Sequence, residues 1–181
     1  MEEAPARALR KTPAPAGCHY SRVRPIRTSA LAIIVAAGLF VTACGETETD
    51  TPEGCFVSAA SYASSLRQAP GEVLLDAEVP ISGCLVKGQT EGDLLDFAET
   101  TVRVATQTSA AIREPGPDGI KAAIDAGYLV GAIEKGAEDS EGIHTTLVDR
   151  VRAAASNGLE GASESTRAHY EAGLDAGRDI G

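Results

Sequence analysis

Glu141 and His144 stand three residues apart, a spacing that puts two metal ligands on one face of a helix. Di-iron bundles use such a pair twice, with further glutamates. Here it occurs once, beside the helix-breaking Gly142, and His144 reads as an exposed histidine of a capping region. Glu134, Glu138 and Glu141 offer three carboxylates at i, i+4 and i+7, a set suited to a hard cation. The same spacing serves more commonly as a solvated acidic face. His169, next to Tyr170 and Glu171, has acid–base chemistry, but no GxSxG, SxxK or HExxH pattern supplies a nucleophile or a metal. Gly127, Gly131 and Gly136 lie inside a helical pattern rather than after a strand, so they do not read as a phosphate loop. The expectation is therefore a non-enzymatic chain, with no catalytic residue, cofactor or metal assigned.

The four cysteines, Cys18, Cys44, Cys55 and Cys84, carry more specific information. Arg22, Arg24 and Arg27 precede an uncharged run at 30–41. As a helix that run spans about 18 Å, short of the roughly 30 Å of a bilayer core, and it suits the apolar centre of a signal peptide. Charge on its N-terminal side is retained in the cytoplasm during insertion. The arginines are not adjacent, which favours general secretion over a twin-arginine route. Val41-Thr42-Ala43-Cys44 then resembles the lipobox of bacterial lipoproteins, with an aliphatic residue three before the cysteine, a small one just before it and Gly45 after it. The resemblance implies cleavage behind Ala43 and a diacylglyceryl group on Cys44. One acyl chain binds a membrane only marginally, whereas two or three hold a protein stably. Cys18 falls in the removed part and Cys44 belongs to lipid, so Cys55 and Cys84 remain as an even pair in an exported chain. A disulfide between them is the expected outcome.

Residues 1–22 are Pro- and Ala-rich without periodicity, and Met1 is the only methionine. They read as a non-structural extension, with Val23 as a candidate true start. Residues 23–43 form the signal peptide and 44–54 a lipidated polar tether. Residues 55–181 form a single domain, and 138 residues from Cys44 onward suffice for one modest core. Of the 16 Lys and Arg, six precede Cys44, and of the 26 Asp and Glu, two do, which leaves the mature chain at −14. Such charge argues against nucleic acid and against adsorption on anionic lipid.

The periodicity predicts an all-α fold, a small bundle of four or five helices with one irregular segment. Helices are expected at 56–68, 91–113, 118–139, 143–157 and 159–180, and the irregular segment at 73–87, where Pro80 and Gly83 interrupt strand-like content. Asp118 is the expected N-cap of the fourth segment, 118–139. On that helix Lys121, Asp125 and Lys135 occupy one narrow sector, and small residues on another face invite the close approach of a second helix. In function the chain reads as an envelope lipoprotein, anchored to the plasma or outer membrane, that docks an envelope protein partner or supports an assembly. The wide apolar surface of 118–139 motivates that reading. The alternative is a small-ligand or metal-binding lipoprotein with a pocket near Tyr128, His144 or His169.

Overall fold

Among the described residues five α-helices carry the fold: α1 (Ala59–Leu66), α2 (Glu91–Ala111), α3 (Pro117–Asp139), α4 (Thr145–Ser156) and α5 (Glu164–Ile180). The computed structural model describes residues 50–181. The expected signal peptide, Cys44 and most of the expected tether lie outside the described residues. A two-residue antiparallel ribbon, β1 (Leu74–Leu75) and β2 (Val79–Pro80), is the only sheet among them, so the fold is all-α as expected.

The helix starts follow from local chemistry. Ser58, Thr90 and Ser163 each accept a hydrogen bond from the backbone N–H three residues on, at 3.2, 3.1 and 3.1 Å, which satisfies an otherwise orphaned donor. The N-cap of α3 is Gly116, at φ 80°, with Pro117 in the first helical position, rather than Asp118. Proline has no N–H to lose there, and its fixed φ already suits the helix. Asp118 instead places negative charge in the first turn, where the helix dipole favours it.

α3 is the centre of the bundle. Fifteen of its 23 residues are buried, under α2, α4, α5 and the 3-10 turn Ile81–Cys84. The apolar surface that the sequence offers to a partner is thus consumed inside the domain. α5 lies along α3 with the two chains running parallel, since Ile124 faces Gly173 and Ala132 faces Gly177 and Gly181. Gly127 and Gly131 on α3 face Gly173 and Gly177 on α5, one turn apart on each helix. A Cβ at any of the four would stand 2.0–2.2 Å from a carbonyl oxygen of the other helix. Backbone therefore rests on backbone, and a core poor in aromatic side chains reaches close packing through small ones. The core is continuous across the described residues, and its largest fully buried side chains are Tyr62, Tyr128 and Phe97. Tyr128 closes a long-range contact, its hydroxyl accepting the Val73 N–H at 3.2 Å.

The irregular segment is pinned at both ends. Cys55, in the 3-10 turn Glu53–Phe56, is disulfide-bonded to Cys84, and both are fully buried. Thr51 is buried as well, so folded structure extends ahead of Cys55. Ser82 packs its backbone on Gly136 and donates its hydroxyl to the carbonyl of Gly181. The ribbon turns through Asp76 and Ala77, at φ 50° and 60°. Two successive positive φ values define the turn that suits a tight hairpin, and asparagine followed by glycine is its preferred pair. Alanine pays for its Cβ in that region. Ala77→Gly should therefore raise stability by about 1 kcal/mol, the steric relief exceeding the added chain entropy of glycine. Urea unfolding checks it; a loss of stability would show that the alanine Cβ is not strained.

Candidate functional site

The residues singled out in the sequence are mostly engaged in holding the fold. His144 is 4% exposed and is the N-cap residue of α4. Its Nε2 lies 3.3 Å from the Val86 carbonyl. A carbonyl only accepts, so Nε2 carries the proton and donates, and the buried Nδ1 has no partner among the described residues. Glu141 turns away to Lys87 at 2.6 Å, and that ammonium holds its carboxyl below the ordinary value. The Glu141–His144 pair therefore does not converge, because Glu141 and Gly142 both have positive φ and end the helical register between them. His169 donates Nδ1–H to the Ser165 carbonyl at 2.7 Å, one turn back on its own helix. Among the described residues no group of three or more His, Cys, Asp or Glu is placed to hold a metal ion.

Glu134 departs from the solvated acidic face suggested by its spacing. Its side chain is 8% exposed, with Arg152 of α4 on one carboxylate oxygen and Arg178 of α5 on the other, the second at 2.7 Å. Each arginine also approaches an acid one turn back on its own helix, Asp149 and Asp175, at 3.6 and 3.7 Å. The carboxylate thus ties three helices at one point. Its desolvation is offset by two charge-assisted contacts, and removing either partner would leave a buried charge undercompensated.

A different place has the character of a binding site. Between α1, α2 and α3 lies a groove of about 290 Å³, at the small end of ligand sites, which run from about 300 Å³ upward. Its floor is apolar, formed by Leu66, Val104 and Ala122 with Ala63 and Ala111. Its polar lining comes from all three helices: Arg67 at the end of α1, Gln107 and Thr108 on α2, and Asp118, Lys121 and Asp125 on α3. Lys121 pairs with Asp125 one turn on and donates to the Leu66 carbonyl at 3.3 Å. Arg67, the C-cap of α1, stands exposed at the lip with Nη2 on the Ser64 hydroxyl at 2.5 Å. Asp118 is on the rim. The expected pocket near Tyr128, His144 or His169 is not this one, since none of the three lines it. The helical spacing puts Lys121 and Asp125 together in a polar sector, whereas Arg67 and the floor come from separated segments and carry no local signal.

No protein-family model, curated protein or solved structure matches the chain. The chemistry of this site therefore rests on its own geometry.

Asp125 is one of the titratable groups that line the groove. Burial pushes its carboxyl up from the ordinary value, and the hydrogen bond and charge of Lys121, with the more distant charge of Arg67, oppose this without cancelling it. A carboxyl held higher in the folded than in the unfolded state binds its proton more readily when folded. Its contribution to stability is then fully present below the unfolded value, about 3.9, and is lost as pH rises through the folded one. Asp125→Asn removes the charge with little change of shape, and Lys121, 38% exposed, keeps its solvent. The variant should gain on the parent most at pH 7 and least at pH 4. Urea unfolding at pH 4, 5.5 and 7 measures the difference; one that is constant across the three would contradict the assignment.

Proposed function

We propose that the chain is an exported lipoprotein, held at a plasma or outer membrane by acyl chains on Cys44, whose folded domain is a non-enzymatic interaction or scaffold module for an envelope protein partner. The observation that carries this reading is the order of features at 22–45: spaced arginines, a short uncharged run, Val41-Thr42-Ala43-Cys44 and Gly45. Two further facts support it. No helix of the described residues is long and apolar enough to cross a membrane, so a lipid on Cys44 would supply the attachment. The candidate ligand and acid–base side chains read from the sequence make contacts within the fold: Glu134 with two arginines, Glu141 with Lys87, and His144 through Nε2 and His169 through Nδ1 with backbone carbonyls.

In its own cells the protein should sediment with membranes and partition into detergent. Cys44→Ser should release it to the soluble fraction or leave an uncleaved precursor. Unchanged sedimentation and processing of the variant would overturn the anchor. Crosslinking of the tagged, lipidated protein, followed by mass spectrometry, identifies the partner.

A second reading, a small-ligand-binding lipoprotein, is favoured by the groove at Leu66, Val104 and Ala122. It is an apolar concavity with a few convergent polar groups and a buried carboxylate whose pKa is raised, the combination expected of a ligand site.

A further inference from the structure

We infer that the groove between α1, α2 and α3 takes a small amphiphilic anion, its apolar body on the floor of Leu66, Val104 and Ala122 and its anionic end on the Arg67 guanidinium. The inference rests on the ligand-binding reading above and adds the chemical class.

The floor sets the apolar half. It is made of alanine, leucine and valine side chains, and a hydrocarbon covering them removes apolar surface from water on both partners. The volume limits that body to a short chain or a single ring.

Charge sets the other half. Four ionisable groups line the groove: Arg67, Lys121, Asp118 and Asp125. Lys121 and Asp125 neutralise each other in direct contact, and Lys121 is further committed to the Leu66 carbonyl. Asp118, exposed in the first turn of α3, is held there by the helix dipole. Arg67 is different. Its side-chain bond goes to a neutral hydroxyl, Ser64, which leaves most of the guanidinium donors for another acceptor. The planar fork of an arginine matches a carboxylate in two parallel hydrogen bonds. A cation in the same place would meet Arg67 at the lip and find Asp125 already paired.

The net charge of −14 from Cys44 onward opposes an incoming anion over long range. Beyond about 8 Å that repulsion is screened at physiological ionic strength, and the pairing with Arg67 acts well within that distance.

Residues 44–181 carrying Cys44→Ser, expressed into an oxidising compartment, provide the protein, because the described residues contain a continuous core and their own disulfide. The probes are sodium octanoate below its micellar concentration, 1-octanol and octylammonium, followed by amide chemical shifts and calorimetry. Octanoate should bind most tightly and shift the amides of Ala63, Val104 and Ala122. Arg67→Gln should weaken octanoate about tenfold, the scale of one charge-assisted bond, and leave octanol unchanged. Ala63→Leu, which fills the groove from a partly exposed position, should weaken both. If octanoate and octanol bind alike and Arg67→Gln changes neither, the ligand site stands and the anionic class is overturned. A preference for octylammonium overturns it equally. If no probe shifts the groove residues, the ligand-binding reading itself falls.

Discussion

Gly127→Ala should lower the stability of the domain by about 2 kcal/mol, and Gly127→Leu should detach α5 from α3. Two effects of opposite sign compete at this position. Alanine is the better helix former by about 1 kcal/mol, so an exposed mid-helix glycine gains from the exchange. Here the new Cβ would stand 2.0 Å from the Tyr170 carbonyl oxygen and 2.8 Å from the Leu174 nitrogen. Both are backbone atoms, so no side-chain rotation relieves the contact and the helices must separate. Overpacking of this kind costs about 1–3 kcal/mol or more, and separation also loosens Gly131, Gly173 and Gly177, which share the seam. Sterics win. The internal control is Gly92, in the first turn of α2, where a Cβ meets only the Thr90 hydroxyl at 3.8 Å. Gly92→Ala should be neutral or gain a few tenths of a kcal/mol. Urea unfolding of the three variants decides the matter; a stabilising Gly127→Ala would mean that α3 and α5 do not meet backbone to backbone. A domain stability of about 5–15 kcal/mol leaves little reserve against Gly127→Leu.

Replacing both Cys55 and Cys84 by alanine should cost about 3–4 kcal/mol, the chain-entropy value for a loop of 29 residues. The location sharpens the expectation. The bond joins the first folded turn of the domain to Ile81–Cys84, and that turn touches α3 at Gly136 and the end of α5 at Gly181. In the double variant, amide exchange should accelerate most at residues 53–56 and 81–85, beyond the common acceleration that the lost global stability gives the α3–α5 seam. Cys44→Ser, by contrast, should leave stability unchanged. Uniform acceleration across the domain would show that the bond stabilises through the unfolded chain alone.

Much of this architecture is legible in the sequence, and what is not has physical reasons. The bounds of α2 and α3 come within two residues of those expected, because long apolar periods run between strong stops such as Pro115 and Gly116. α1 is shorter than 56–68, since the hydroxyl of Ser58 takes the cap and Phe56 goes into a 3-10 turn with Cys55. α5 starts at Glu164 rather than near 159 because Gly158 packs on the backbone of Ser109, 2.1 Å from its carbonyl oxygen for an added Cβ. That contact holds Asn157–Leu159 in a separate turn. The glycines of α3 announce that some helix comes close. They do not say which, and nothing local reveals that α5 runs parallel to it. The groove was hidden for the same reason. Arg67 and Asp125 lie 58 positions apart, and their proximity exists only after α1, α2 and α3 have packed. The burial of Glu134 is not legible in the sequence, because a spacing of acids cannot show two arginines arriving from other helices.

The most direct test of the account is the intact mass of the protein extracted from membranes of its own cells. The lipoprotein reading predicts a chain that begins at Cys44, heavier than the peptide by a diacylglyceryl group, alone or with a further acyl chain, and lighter by two hydrogens for the Cys55–Cys84 bond. An unacylated chain, whether cleaved elsewhere or still carrying residues ahead of Cys44, would contradict it.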